Sequence, residues 1–462
     1  MLEMLKGING FANGSLQDVE ALNKALEAGY ATSPDTQTGG GALRIESLEQ
    51  TMHSLTFSEN HIVLWKDIAK LPARSTVEEY NILAGYGNAP GFIAETDRPL
   101  DSVGDYERRY ALVKFVGTTR EISIISQQVG NITDPLLLET KSALRKMLAD
   151  IEVALFWGLS EGAAGAEYVE WDGLVYQADS NNIIDARGKD FTKELIDNAA
   201  ELITEGFGIP DKMYLSYKAF NKFRRNYDNY ERILLPGTKE DLAAGYGFQK
   251  ILAVTGPIVF RPSVLMYNNA IPYNFALGKK KPPTGATSAS APAAPTVSAA
   301  VNADGTGKFT EGAGDYEYVV TLVNKYGESA PSAAVTASLL NTTDSVTLTI
   351  TNGASGEKPE QALIYRSKLG GGDKFLVARI PLTTGALGGT TTWKDTADIL
   401  ADTEMVVIVD SNPETLAFKS LTDTMRIELA RLGPTIPFMF LKAGVPILYA
   451  PKKIAIIKNL SV

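Results

Sequence analysis

The sequence predicts an α+β fold interrupted by an all-β sandwich. Three observations carry that reading. One long apolar stripe of helical period lies near residue 150, the composition breaks sharply at Lys279 and is followed by short alternating runs, and a mixed pattern returns at Glu404. At 462 residues the chain exceeds one hydrophobic core and calls for several structural units.

Residues 1–50 are polar and Gly-rich and read as an N-terminal arm that needs a partner surface to become ordered. Within it Leu16, Val19, Leu22 and Leu26 recur at helical spacing. Residues 51–278 form the first part of the main domain. From about 76 to 125 the period falls to two, with Tyr106, Arg108, Tyr110 and Leu112 on one side and Ala111, Val113 and Phe115 on the other. A Gly-, Pro- and Asp-rich stretch between Leu83 and Tyr106 makes this a long two-stranded hairpin with an extended tip. Such a hairpin is marginal in water alone and calls for another surface.

"TDPLLLETKSALRKMLADIEVALFWG" predicts a helix over about 135–157. Asp134 is placed to cap it, Pro135 suits its first turn and Gly158 ends it. Leu137, Leu144, Met147, Leu148, Ile151 and Leu155 form the stripe, and Glu139, Lys146, Asp150 and Glu152 read as lying off it. Residues 172–278 read as mixed α/β, with an amphipathic helix in "FTKELIDNAAELITEGFG", a strand and helix in "DKMYLSYKAFNKFRRNY", and short strands in "KILAVTGPIVFRPSVLMYN".

Residues 279–403 comprise a Pro/Ala/Ser linker, "KKKPPTGATSASAPAAPTVSAA", then strands in "YEYVVTLV", "SVTLTITN", "ALIYRS", "KFLVARI" and "TTTWKD" at the spacing of a β-sandwich. The linker reads as solvated. Residues 404–462, with strand "EMVVIVD", a helix in "SLTDTMRIELARLG" and a strand pair in "PFMFLKAGVPILYAPKKIAIIKNL", are too few for a separate fold. They complete the domain begun before Lys279, which makes the sandwich an insertion. Excision of 285–403 is then expected to leave the host fold able to assemble.

Composition narrows the chemistry. A net charge of −10 argues against nucleic-acid binding, which relies on Lys and Arg clusters. The chain has no cysteine, so thiolate metal sites, thiol nucleophiles and disulfides are excluded. The first residues lack a secretory pattern, and no apolar run has the length of a bilayer span, so no membrane is expected. "GLSEG", Gly158–Gly162, matches the nucleophile-elbow spacing, but it follows a helix and both histidines, His53 and His61, precede Ser160. A helix end explains it better, and neither a metal nor a cofactor site is expected. "GYGNAPG" lacks the Lys-Ser/Thr end of a phosphate loop and reads as a hairpin tip. "NKFRRNY" interleaves aromatic and basic residues yet reads as a packed helix with a solvated edge.

"YERRYALVKFVGTTREISIISQQVG" leading into "ITDPLLLETKSALRKMLADIEVALFWGLS" resembles the passage from extended loop to spine helix in the major capsid proteins of tailed bacteriophages, the Hong Kong 97 phage fold. "ALEAGYATSPDTQTGGGALRIESLEQTM" and "FMFLKAGVPILYAPKKIAIIKN" resemble the same family, and the resemblance spans most of the chain. "YVVTLVNKYGESAPS" with "ALIYRS", "KFLVARI" and "WKDTA" resembles a fibronectin type III or immunoglobulin-like domain. The family resemblance implies a non-enzymatic subunit that self-assembles as hexamers and pentamers into an icosahedral shell around double-stranded DNA, without sequence-specific binding. It implies a virion protein assembled in the bacterial cytoplasm, with scaffold, portal and maturation protease as partners. It also implies a maturation cut between Glu27 and Ala28, and an outward-facing inserted domain. The alternative is a surface adhesion or glycan-binding protein carrying a fibronectin-like module.

Overall fold

The computed structural model describes residues 58–89, 91–98, 100–128, 134–165, 170–227, 249–271 and 273–461. The arm residues at helical spacing, the Glu27–Ala28 bond and His53 lie outside them.

After a short turn at Glu59–His61, the described residues run through α1 (Leu64–Asp67) and β1 (Ala69–Pro72), then β2 (Val77–Gly85), β3 (Asp105–Leu112), β4 (Lys114–Ser123) and α2 (Ile124–Gln128). The long helix α3 is Pro135–Trp157, followed by α4 (Leu174–Gln177), β5 (Ile183–Asp185), α5 (Lys193–Glu205), β6 (Lys212–Leu215), α6 (Tyr217–Tyr227), β7 (Lys250–Ala253) and β8 (Gly256–Pro262). Next come β9 (Thr296–Asn302), β10 (Gly314–Asn324), β11 (Gly327–Glu328), β12 (Val335–Leu339), β13 (Ser345–Thr351), β14 (Gln361–Ser367), β15 (Lys374–Pro381) and β16 (Thr390–Asp395). The last strands are β17 (Thr403–Val409), β18 (Leu416–Glu428), β19 (Thr435–Leu448) and β20 (Ile454–Ser461).

α3 forms where its end signals lie. Asp134 Oδ1 accepts the Leu136 N–H at 2.9 Å, Pro135 occupies the first turn and Gly158 follows the last. Its 23 residues span about 35 Å. The C-terminal half is the buried half, with Met147, Ile151, Leu155, Phe156 and Trp157 nearly inaccessible. Leu137, at the start of the stripe, is exposed.

The six-stranded sheet runs β5-β20-β17-β6-β8-β7, with β5/β20 and β6/β8 parallel and the other pairs antiparallel. Side-chain alternation sorts its residues onto two buried faces. Met213, Leu215, Val406, Ile408, Ala455 and Ile457 pack with Ile196 and Ile203 of α5 and Phe223 of α6. Tyr214, Val407, Val409, Ile454 and Ile456 join the core around α3. The second sheet, β1-β18-β19-β4, covers α3 from another side.

β9 to β16 pair only among themselves in the described residues, as β16-β13-β9 and as β11-β10-β14-β15 with β12 on β10. Val346, Leu348 and Ile350 of the first sheet share a core with Tyr318, Val320, Leu322 and Ile364 of the second. Arg366 on β14 meets Asp395 on β16 at 2.5 Å, and Tyr318 Oη donates to the same carboxylate at 2.9 Å.

Four expectations are corrected. Residues 420–428, expected to be helical, belong to β18, because the segment pairs along β19 out to Glu428. The final two strands are not a pair: β19 lies between β18 and β4, whereas β20 lies between β17 and β5. The hairpin ends at Leu112, since Lys114–Ser123 turns away to pair with β19, and Phe115 is exposed while Val113 is buried. The linker is solvated over 281–290, where no residue is buried, but its start is tied down. Lys279, Lys280 and Lys281 pair with Asp402, Glu328 and Asp373 at 2.6, 2.7 and 2.6 Å.

Candidate assembly interface

β2 and β3 form a two-stranded sheet that pairs with no other described strand. Its register runs from Val77 opposite Leu112 to Leu83 opposite Tyr106, with a shift before Gly85. Among the described residues only its base is anchored. Lys419 Nζ reaches Glu78 at 3.1 Å, the Tyr80 and Tyr449 rings meet edge-on at 5.1 Å, and the Val113 N–H donates to the Thr76 carbonyl at 2.9 Å. Beyond the base, large apolar side chains face solvent: Tyr86 is 89% exposed, Phe92 100%, Val103 81% and Tyr106 72%. Charges are interleaved with them, including Arg108–Glu79 at 3.4 Å and Arg98–Asp101 at 3.2 Å. A ribbon with so much uncovered apolar surface has the make-up of a protein-binding element.

The segment that leads into β1 is held to α3 through a contact the sequence reading missed. Glu152, expected on the solvated side, is completely buried. Its Oε1 accepts the N–H groups of Val63 at 3.1 Å and Leu64 at 2.8 Å, and its Oε2 accepts that of Trp65 at 2.7 Å. These are free N–H groups at the start of α1. Burial pushes the Glu152 carboxyl above its ordinary value, although the three N–H groups oppose that shift. Asp67, at the end of α1, meets Arg261 Nε at 3.1 Å and accepts the Tyr214 hydroxyl at 3.2 Å. The segment from 62 to 68 is thereby fastened both to α3 and to the six-stranded sheet.

The "GLSEG" residues sit at the end of α3. Gly158 crosses so close to Trp171 that a Cβ would lie 2.3 Å from its carbonyl oxygen. Ser160 donates its hydroxyl to Asp172 Oδ2 at 2.8 Å, and its N–H donates to Oδ1 at 2.8 Å. The serine thus helps hold a chain crossing. His61 Nδ1 accepts the Ser58 N–H at 3.0 Å in a local turn. In "NKFRRNY", Phe223 packs in the core, Tyr227 Oη accepts the Lys193 N–H at 2.7 Å, and Lys222 pairs with Asp190 at 3.2 Å. Its rings face the protein. No group of three or more His, Asp or Glu residues among those described could hold a metal ion.

Residues 91–272 match the SU10 major capsid protein family. The major capsid proteins of Staphylococcus phages S25-3 and K are each 30% identical to this chain over 446 residues, covering 95% of both sequences. The chain belongs to the phage major capsid proteins. The putative major capsid protein of Enterococcus phage phiEF24C is 29% identical over 448 residues, covering 95% of this chain and 94% of its own. Among solved structures, the capsid of a native GTA particle aligns over 93% of this capsid protein and 100% of its own chain, with 8% identity and a TM-score of 0.48. Mycobacterium phage Adephagia aligns with a TM-score of 0.46 and 9% identity, over 90% and 95%. This capsid protein is a shell-forming structural component of the virion, in a family that is not enzymatic. Its exposed hairpin is the candidate surface for that assembly.

Proposed function

We propose that this capsid subunit has the Hong Kong 97 phage fold and closes, as hexamers and pentamers, into an icosahedral head around the double-stranded DNA genome. The observation that carries the reading is the hairpin, whose apolar residues from Tyr86 to Tyr110 include many that are exposed and find no cover among the described residues. It is lent to a neighbouring subunit. In the same reading residues 1–50 are the arm, 51–278 and 404–462 form the capsid domain, and 279–403 form an inserted fibronectin- or immunoglobulin-like sandwich on the outer surface. Assembly takes place in the host cytoplasm with a scaffold, a portal and a maturation protease, which cuts between Glu27 and Ala28. The acidic balance suits a wall that confines DNA without gripping it.

Expression with its scaffold and protease, followed by electron microscopy, tests the proposal. Closed shells are expected from the full chain. Replacing residues 86–104 with a short Gly/Ser turn is expected to give folded subunits without shells. A strictly monomeric full-length protein under these conditions overturns the reading, and binding of host wall polysaccharide by such a monomer favours the adhesion alternative.

A further inference from the structure

The strand block β9–β16 is fastened to the rest of the subunit at two separate places. The first is its neck. Gly278, at φ +86°, lies so close to Thr403 that a Cβ would come within 2.3 Å of the carbonyl oxygen. The Gly278 N–H donates to Leu376 O at 2.7 Å, the Leu376 N–H donates to Lys280 O at 2.8 Å, and the Thr287 N–H donates to Glu328 O at 2.9 Å. The chain leading into the block is therefore laid along β15 and β11. Lys280 and Glu328, both nearly buried, form an ion pair, and Glu328 also accepts the hydroxyls of Thr321 at 2.7 Å and Tyr365 at 2.6 Å.

The second fastening lies at the C-terminal end of α3. Arg379 on β15, whose side chain is fully buried, donates from Nη1 to the Trp157 carbonyl at 3.2 Å and to Glu170 Oε2 at 3.0 Å. Its Nε donates to Gln361 Oε1 at 2.8 Å, and its guanidinium lies 4.2 Å from the centre of the Phe275 ring. Gln361 Nε2 donates to Glu161 O at 2.5 Å, and the Ala163 N–H donates to Glu360 O at 3.0 Å. A cation at the last carbonyls of a helix is favourably placed against its dipole. A buried guanidinium also needs these partners to offset the loss of water.

A module held by its neck alone can pivot, whereas one also held at the end of α3 has a fixed orientation. We propose that the β9–β16 block has a second function as an internal brace, holding the α3 end and the 158–165 segment in place. This changes the expectation for excision of 285–403, which strips the α3 end of Arg379 and Gln361. It does not depend on how the subunit assembles.

The test is hydrogen exchange on the soluble subunit carrying Glu170→Gln, which weakens the Arg379 contact without altering the block, and on the double variant Arg379→Met/Gln361→Leu. Amides from 157 to 165 are expected to exchange about tenfold faster in the double variant and less so in Glu170→Gln, with β10 and β14 keeping their protection. Unchanged exchange over 157–165 in both variants overturns the brace. So does a folded protein lacking 285–403 that retains full protection there.

Discussion

The Glu152 carboxylate, in the second turn from the end of α3, accepts the Leu64 N–H at 2.8 Å across 88 residues of sequence. With its bonds to Val63 and Trp65, it makes one side chain the cap of a separate helix. Glu152→Ala leaves three N–H groups short of an acceptor in a buried position, a loss of about 2–4 kcal/mol. A lower thermal midpoint is expected, with protease cutting appearing first between residues 58 and 70. An unchanged midpoint would show that water replaces the carboxylate without loss.

Hairpin surface changes should separate folding from assembly. Tyr106 and Tyr110 are 72% and 71% exposed, so Tyr106→Asp/Tyr110→Asp is expected to change subunit stability by less than about 1 kcal/mol. Two carboxylates placed in an apolar interface should instead abolish shells. Sedimentation velocity, read beside thermal melting, distinguishes the effects.

Gly173→Ala is expected to be strongly destabilising. A Cβ there would lie 2.5 Å from the Phe156 carbonyl oxygen and 2.8 Å from the Gly158 nitrogen, where the Gly173 N–H donates to Gly158 O at 2.9 Å. Parting the two chains costs about 1–3 kcal/mol. By contrast Ser160→Ala removes one hydrogen bond to Asp172, about 1 kcal/mol, and should leave shells intact.

The neck should show a characteristic pH response. Burial pushes the Asp402 carboxyl up, but hydrogen bonds from Lys279 and Lys368 outweigh it and hold the group below 3.8. A carboxylate lowered in the folded state contributes stability above its unfolded value of 3.8, and that contribution is lost as pH falls through the folded value. Asp402 has φ +57°, a conformation asparagine also tolerates, so Asp402→Asn isolates the charge. With its side chain 33% exposed, screening limits the effect to about 1 kcal/mol or less. Urea midpoints of the two proteins should differ by a constant amount between pH 6 and pH 4.5, and the gap should close below pH 3.8. A gap that widens in acid contradicts the assignment.

The long helix was legible because its end signals are local: Asp134, Pro135 and Gly158 act on backbone groups within a turn of themselves. Residues 420–428 misled because Met425, Glu428 and neighbouring residues suit a helix, while their structure is imposed by pairing with β19. Arg426 even finds its packing there, 4.7 Å from the centre of the Phe438 ring. Glu152 was partly legible: it lies four residues after Leu148 and three before Leu155, which places it on the apolar stripe. Its identity as a charge drew the reading the other way. The Lys279–Lys281 run offered no signal, since its order comes from carboxylates 48 to 123 residues further on.

The touching backbones of Gly278 and Thr403 bear on the order in which the chain can fold. Pairing β17 with β6 requires closing a loop that contains the whole β9–β16 block as well as α6, β7 and β8. Once the block has folded, its two ends are neighbours and the loop left to close runs only from β6 to Gly278, about a third of the full length, which lowers the closure cost by about 1 kcal/mol. A chain that folds this block first therefore brings β17 to the sheet by a shorter closure, and a slow step in block folding would delay the sheet with it.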